Sequence, residues 1–213
     1  MTTTSPTLTG TDIRTVFARA LATGGDVIGN VRPDQLDGPT PCDDFDVRTL
    51  IGHLVGVLER VTLMGRGENP FQAPDRITGL ADDAWLPAWS DAAQRVTDAW
   101  ADDASLVRIV HLPWAKESGA LTLASYCNEI TVHTWDLATA TGQHPAWDDE
   151  VVATAWDSFR GLPGQGRAEM FAAVKAEMPE PYRSAGDPWS DAVPVPDDAP
   201  LIDRLVAWNG RRP

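Results

Sequence analysis

Side chains suited to a helix interior recur at intervals of three and four residues along several separate segments of this chain. The clearest segment is 121–141, and its inward-facing positions are Leu123, Tyr126, Ile130, His133 and Leu137. This spacing places all five on one face of an α-helix, and Gly142 is suited to a left-handed cap at its end. Several such helices must bury these faces against one another, which predicts a helical bundle.

The same periodicity predicts the other helices, and the segments that lack it are predicted to connect them. Longer helices are expected over about 12–31, 46–65 and 87–100, and shorter ones over about 148–159, 168–175 and 200–210. Asp46 is placed to cap the second helix. The aperiodic, Gly- and Pro-punctuated stretch 66–83 is too long for a tight turn and predicts a crossover along the bundle. The short β-branched stretch Leu106–Trp114 is expected to be an extended piece of connection.

Composition changes beyond residue 160, where glycine and proline become frequent. We therefore predict an all-α fold, a four-helix bundle over residues 1–160 with a long crossover connection and accessory helices. Residues 161–213 are predicted to form an extended Pro-rich C-terminal wrap that packs on the bundle and is not an independent domain.

Charge narrows the classes of partner. The chain has 31 acidic and 17 basic residues in 213, a net charge of −14, which repels phosphate backbones and anionic lipid headgroups. We expect no nucleic-acid partner and no membrane partner.

The Thr-rich start, Met1–Gly10, lacks the cationic and apolar regions of a secretory leader. With only two cysteines, Cys42 and Cys127, the composition favours a cytoplasmic protein.

Three residues that can ligate a metal lie on apolar helix faces: His53 in the second helix, and Glu129 and His133 in the helix over 121–141. Glu129 and His133 are one turn apart, so both side chains can reach one ion. Two imidazoles and a carboxylate are the ligand set of an open zinc site. The alternative is that the histidines are hydrogen-bonded packing residues of the core, and spacing leaves both open. We expect Glu129 to be buried.

Other polar residues are assigned smaller roles. Asp136 is either a hydrogen-bond partner of a ligand imidazole or a carboxylate on the helix surface. Cys127 is expected to be a small buried hydrophobe, whereas Cys42 is expected to pack in its loop, with a lowered pKa at the positive end of the second helix as the alternative. His111 and His144 lie in connections, where solvated or capping roles are expected. The nine tryptophans are either core residues or pocket walls.

Two separated runs and the tail carry a resemblance to a known family. Residues 40–54 read TPCDDFDVRTLIGHL and residues 129–138 read EITVHTWDLA. The tail contributes VPDDA at 195–199, DRL at 203–205 and GRRP at 210–213. Together they resemble the metal-binding domain of the mycothiol-dependent maleylpyruvate isomerase family, in its actinobacterial branch, within the DinB-like superfamily of four-helix bundles.

The resemblance implies a divalent metal, usually zinc, bound by His53, Glu129 and His133. It also implies that the ion holds the thiolate of a small thiol, mycothiol in actinobacteria, for addition to an electrophile. Asp136 would then orient a ligand, and Trp135 with other aromatics would wall the pocket. The isomerase has a sizeable second domain that this chain replaces with a tail, so maleylpyruvate is not carried over as the substrate.

The sequence therefore favours a metal-dependent thiol transferase or isomerase whose partners are a small thiol and a small electrophile. Two alternatives are a thiol-independent metal hydrolase and a non-catalytic stress protein that binds a small ligand. The electrophile, the identity of the metal, the presence of catalytic activity and the formation of a homodimer are left open.

Overall fold

The computed structural model describes residues 10–42, 45–113, 115–180, 183 and 190–213, which fold mainly into helices. The helices of this part of the chain are α1 (Ile13–Gly29), α2 (Val47–Arg66), α3 (Trp85–Ala99), α4 (Asp103–Val107), α5 (Gly119–Thr141), α6 (Asp149–Phe159), α7 (Arg167–Ala176) and α8 (Leu201–Trp208). Two antiparallel strands, β1 (Ile109–Leu112) and β2 (Ala115–Ser118), form a hairpin before α5. Short 3-10 turns occur at Pro33–Gln35 and Pro70–Gln72.

Of the two helices that carry the candidate ligands, α2 begins and ends where its sequence predicts, and α5 ends as predicted but begins two residues earlier, at Gly119. The Asp46 side chain accepts a hydrogen bond from the Thr49 amide at 2.8 Å, which satisfies one of the unpaired amides at the start of α2. Ser118 caps the start of α5 in the same way. Gly67 ends α2 and Gly142 ends α5, both in the left-handed conformation that glycine adopts without strain.

The connection from α2 to α3 runs back along α2, as the sequence predicts. Its Ile77 amide donates to the Gly52 carbonyl at 2.9 Å, near the beginning of α2. Trp85, which starts α3, packs beside Gly52, and Trp100, which follows α3, packs beside Gly65 at the far end of α2. Since both ends match, α2 and α3 are parallel, and the predicted crossover is confirmed.

Four helices enclose the main core. α1 and α2 each pack against both α3 and α5, and their contact surfaces include completely buried residues such as Leu50, Leu54, Ile130 and Leu137. α6 packs on α5 and α1, and α8 packs on α6. The all-α bundle with accessory helices is therefore confirmed.

The segment before α5 differs from expectation. In place of one extended connection over Leu106–Trp114, the chain forms α4 and then the β1–β2 hairpin, in which Ile109 pairs with Ser118. Extended backbone is confirmed for Ile109–Leu112, whereas Leu106 and Val107 belong to α4 and the pairing with residues 115–118 was not predicted. α3 also starts two residues before the predicted Pro87, since Trp85 is itself buried.

Parts of the predicted features lie outside the described residues: Met1–Thr9 at the start, Asp43 and Asp44 of the first run, Trp114, and Pro181 and Pro188 of the tail.

The described part of the tail packs on the bundle. Leu205 and Val206 of α8 are completely buried in the main core, and the Trp208 indole donates to the Phe159 carbonyl at 3.2 Å. The Val193 amide donates to the Ala207 carbonyl at 2.9 Å, which holds the extended segment before α8. Among the described residues, no helix is both long and apolar enough to cross a membrane.

Candidate metal centre

His53 projects from α2 towards α5. The glycines of α2 lie on the adjacent face of that helix. Its side chain is 11% exposed, and its neighbours Leu54 and Val57 are completely buried. The Phe45 ring lies against it, with ring centroids 5.2 Å apart. Phe45 belongs to the first sequence run, but its role beside a candidate ligand was not predicted. Trp135, which is expected to wall the pocket, is partly buried against the main core, as Phe45 is.

Glu129 and His133 project from α5 one turn apart and meet His53 across the helix interface. Glu129 Oε1 lies 3.2 Å from His53 Nε2 and 3.6 Å from His133 Nε2. The two imidazole rings are 5.1 Å apart and nearly perpendicular. One donor atom from each residue falls within 4.8 Å of the other two, so the structure brings the three predicted residues together.

The donor set fits a divalent ion. In a tetrahedral zinc site with metal–ligand distances of about 2.0–2.1 Å, neighbouring ligand atoms are about 3.3–3.4 Å apart. The two distances from Glu129 Oε1 to the imidazole nitrogens, 3.2 and 3.6 Å, bracket this separation. The Glu129 side chain is 32% exposed, whereas the His53 and His133 side chains are 11% and 10% exposed. The site therefore opens to solvent on the Glu129 side, where a further ligand would enter.

Glu129 is less buried than the sequence predicts. The Glu129 side chain is partly buried, so the expectation of a buried carboxylate is met only in part, because its position on α5 lies on the same partly exposed stripe as Ser125 and Leu121. The completely buried carboxylate of this region is Asp136, with 0% exposure.

Asp136 contacts Nδ1 of His133, the ring nitrogen that is not the candidate metal ligand. Its Oδ2 atom lies 3.0 Å from His133 Nδ1. Because an ionised carboxylate only accepts hydrogen bonds, Nδ1 carries the proton of this contact, and in the neutral form of the ring the lone pair is then on Nε2, the atom nearer to Glu129. Such carboxylate–histidine pairs orient imidazole ligands at metal centres. His53 differs, since its buried Nδ1 has no hydrogen-bond partner among the described residues.

Arg211, in the tail, completes this arrangement. Its Nη2 atom donates to Asp136 Oδ2 at 2.8 Å and its Nε atom donates to Oδ1 at 3.1 Å. The side chain of Arg211 is 10% exposed, so the ion pair is almost fully removed from water. Arg211 lies in the tail run 210–213, and nothing in that run indicated a role for it at the candidate centre.

The directions in which the pKa values of Glu129, Asp136 and His53 depart from their ordinary values agree with these contacts. Burial raises the pKa of the Glu129 carboxyl, but the nearby His133 and the hydrogen bond with His53 outweigh it, and the pKa lies below its ordinary value. Burial likewise opposes ionisation of Asp136, yet hydrogen bonds from His133 and Arg211 lower its pKa overall. Burial lowers the pKa of His53, which favours the neutral imidazole that a metal requires.

A second group of potential ligand atoms lies beside the first. Cys42 Sγ, His133 and Asp136 also place one donor atom each within 4.8 Å of one another. This group does not suit a cation, because the guanidinium of Arg211 already holds both oxygens of Asp136. Cys42 therefore lies next to the candidate centre, which its expected role in loop packing did not indicate.

The remaining candidates lie elsewhere. His111 and His144 are exposed, in agreement with their expected solvated roles. Cys127 is completely buried within α5, and burial raises the pKa of its thiol, as expected for a small hydrophobe. Three of the tryptophans, Trp85, Trp89 and Trp100, are core residues.

The fold and the donor set define a helical-bundle protein with a candidate metal centre between α2 and α5. Residues 17–138 match the family described as the mycothiol maleylpyruvate isomerase N-terminal domain. The chain belongs to this family.

Two relatives come from Mycobacterium tuberculosis: Uncharacterized protein MT0763, of strain CDC 1551 / Oshkosh, and Uncharacterized protein Rv0738, of strain H37Rv. Each is 32% identical to this chain over 186 residues, which cover 87% of the chain and 90% of the relative. The match thus extends beyond the family domain into the tail. No solved structure matches the chain significantly.

Proposed function

We propose that this chain binds one divalent metal ion, expected to be zinc, through His53, Glu129 and His133. We further propose that it is a thiol-dependent transferase or isomerase that acts on a small electrophile, with mycothiol as the thiol. The observation that carries the metal proposal is the position of Glu129 Oε1, which faces the Nε2 atoms of both histidines at 3.2 and 3.6 Å. Membership of a mycothiol-related family supports the thiol.

An ion in this donor set would supply Lewis acidity and would hold a coordinating thiol in its deprotonated form. The residues of the chain prepare the site for that chemistry. Asp136 keeps the Nδ1 proton of His133 in place, so Nε2 remains a lone-pair donor. Two neutral imidazoles and one carboxylate leave a divalent site with an excess positive charge, which favours an anionic further ligand.

The arrangement also determines where the reacting molecules approach. The apolar interior of the bundle lies behind the histidines, with Leu54, Val57 and Ile130 completely buried. The partly exposed Glu129 marks the solvent side. A thiol and an electrophile would therefore enter from the same side, which favours their encounter.

The first experiment measures metal content. Wild-type protein reconstituted with zinc and then desalted is expected to retain one ion per chain, and His53→Ala and His133→Ala are expected to lose it. His144→Ala is the matched control, because this histidine is exposed in a connection between helices. A wild-type protein that retains no ion after reconstitution would overturn the proposal.

The second experiment separates thiol-dependent chemistry from hydrolysis. Calorimetric titration of zinc-loaded protein with mycothiol is expected to show saturable binding that disappears in His133→Ala. Turnover of electrophiles that requires added thiol supports a transferase or isomerase. Turnover without thiol would instead identify a metal hydrolase.

We also propose that residues 161–213 act as an extension of the bundle rather than as a second domain. The burial of Leu205 and Val206 in the main core supports this organisation. A cytoplasmic location is part of the same proposal, because small thiol co-substrates are kept reduced there. Limited proteolysis that releases a folded fragment from residue 161 onwards would contradict the single-domain organisation.

A further inference from the structure

The two candidate histidine ligands are supported in different ways. Asp136 Oδ2 lies 3.0 Å from Nδ1 of His133, and a carboxylate in this position fixes the orientation of an imidazole ligand. His53 has no such support, because its buried Nδ1 atom has no hydrogen-bond partner among the described residues. Since its other nitrogen faces Glu129, itself a candidate ligand, the His53 ring is oriented from outside the centre by packing alone.

The packing contact is made by Phe45. The centroids of the Phe45 and His53 rings are 5.2 Å apart, and the ring planes are inclined by 40°. At such separations two rings attract each other and prefer tilted or offset arrangements. The His133 ring also lies near His53, 5.1 Å away, but His133 is itself a candidate ligand. With only 11% of the His53 side chain exposed, the Phe45 ring limits how far the imidazole can turn.

Phe45 is held in place by contacts of its own. Its amide donates to the Cys42 carbonyl at 2.8 Å, and its carbonyl accepts a hydrogen bond from the Thr40 hydroxyl at 2.7 Å. The guanidinium carbon of Arg76 lies 5.1 Å from the Phe45 ring centroid, which adds a cation–π attraction. Arg76 is held in turn by Asp75, with Nη2 2.9 Å from Oδ2. Both the backbone and the ring of Phe45 are thus fixed by contacts that involve no candidate ligand.

The place of Phe45 in the sequence also allows a purely structural role. Phe45 directly precedes Asp46, the cap of α2. An apolar residue at this position often packs on a residue in the first turn of the helix, here Leu50, as a hydrophobic staple. A staple requires an apolar side chain but no flat ring, so leucine would serve equally well. Packing against His53 requires the ring, and substitution can therefore separate the two roles.

We propose that Phe45 is the positioning residue of His53, and that its ring does by packing what Asp136 does for His133 by hydrogen bonding. This inference rests on the proposed metal site and goes beyond it, because it assigns unequal support to the two imidazoles. A ring restricts the direction of the His53 imidazole but offers no acceptor for a proton on Nδ1, and a buried N–H group without an acceptor is unfavourable. His53 is therefore the more weakly bound of the two imidazole ligands.

The test uses Co²⁺, whose visible absorption bands depend on the number and directions of its ligands. Metal-free protein is titrated with cobalt, and release of the ion is then followed after rapid mixing with a chelator. Phe45→Leu is expected to shift the bands, to bind cobalt about tenfold more weakly and to release it faster, in line with the loss of other groups that orient a ligand. Phe45→Tyr keeps the ring, which is only partly buried, and is expected to keep the wild-type bands and affinity.

Two further variants separate positioning from stability. Phe17→Leu shortens a ring in α1 that is only 2% exposed. Phe17 lies one turn after Arg14, which donates to the Ala101 carbonyl just beyond α3 at 3.0 Å, so it is at the other end of the bundle from His53. This variant is expected to lower Tm and to leave the cobalt bands unchanged. Phe45→Met repeats the test with a second apolar side chain that has no ring, so the result does not depend on the folding of one variant.

Three results would each overturn the inference. Wild-type bands, affinity and release in Phe45→Leu and Phe45→Met would leave Phe45 with the staple role alone. A loss in Phe45→Tyr as large as in Phe45→Leu would show that the ring is not the cause. Altered bands in Phe17→Leu would show that the spectrum follows general stability. If wild-type protein itself gives no cobalt bands, the proposed metal site fails, which is a different outcome from a site that forms without help from Phe45.

Discussion

Asp136 Oδ2 lies 3.0 Å from Nδ1 of His133 on the same helix, and the carboxylate is completely buried. Arg211 approaches the same carboxylate from the tail, 75 residues away in sequence. One buried carboxylate thus connects the candidate metal centre to the C-terminal wrap. The structure of the tail and the orientation of a candidate ligand depend on the same contact.

Loss of this buried pair should destabilise the protein strongly. Asp136→Asn and Arg211→Met each leave one buried partner without its counter-charge, at an expected cost of about 3–5 kcal/mol in the free energy of unfolding. Urea denaturation of metal-free protein measures the change. Asp157→Asn breaks an exposed pair with Arg160 and is expected to cost less than about 1 kcal/mol. Equal effects of Asp136→Asn and Asp157→Asn would contradict the role of Asp136.

Metal should stabilise the folded protein only when the three-residue donor set is intact. At an ion concentration about a hundred times Kd, binding to the folded state adds about 2.7 kcal/mol. For a chain of this size each kcal/mol raises Tm by about 2–4 °C. Thermal unfolding with and without zinc should show this increase in wild type and in His144→Ala, but not in His133→Ala. A similar zinc-dependent increase in His133→Ala would place the ion elsewhere.

Gly52→Ala should disturb both packing and the candidate centre. Its methyl group would lie 2.2 Å from the Ile77 carbonyl oxygen, and a backbone atom cannot yield as a flexible side chain can. We expect a loss of about 1–3 kcal/mol in unfolding free energy. Gly161→Ala is the control, because its added methyl group meets nothing within 4 Å. Unfolding measurements that rank the two variants equally would show that the connection does not lie tightly on α2.

Glu117 on β2 should make stability fall as pH rises. Burial raises the pKa of its carboxyl above the ordinary value of 4.5, although a hydrogen bond from Ser125 partly opposes this. As pH rises past that value, the unfolded chain releases its proton before the folded chain does, so deprotonation favours unfolding. Glu117→Gln should therefore be more stable than wild type at pH 7.

The pH profile distinguishes this cause from others. The advantage of Glu117→Gln should disappear below the ordinary glutamate pKa, where both states hold the proton. Glu68→Gln, at an exposed position, should show no comparable trend. A stability difference for Glu117→Gln that is constant from acid to neutral pH would rule out titration of this carboxyl.

The sequence predicts correctly those features of the fold and the site that depend on residues close to one another along the chain. Helical spacing placed His53 on the inward arc of α2 and set Glu129 and His133 one turn apart, and the structure brings all three together. Capping residues such as Asp46 and Gly142 located the helix ends because their role involves only adjacent backbone groups. The crossover followed from a connection too long and too irregular for a turn.

Contacts between distant segments had no comparable signature. The Asp136–Arg211 pair joins α5 to the tail, and neither residue type reveals its partner in the sequence. The positions of Cys42, Phe45 and Arg76 depend on how two connections fold over α2. The exposure of Glu129 follows from which side of α5 the neighbouring elements leave uncovered, which periodicity alone does not specify.

The separation of His53 and Glu129 by 76 residues also has a consequence for how the candidate ligands come together. Bringing such distant residues together carries a loop-closure entropy, which favourable contacts must offset. The completely buried Leu50, Leu54, Ile130 and Leu137 join the same two helices without any ion. The apolar core therefore holds α2 and α5 together without any ion, so the three donor atoms lie side by side in the folded protein before a metal binds.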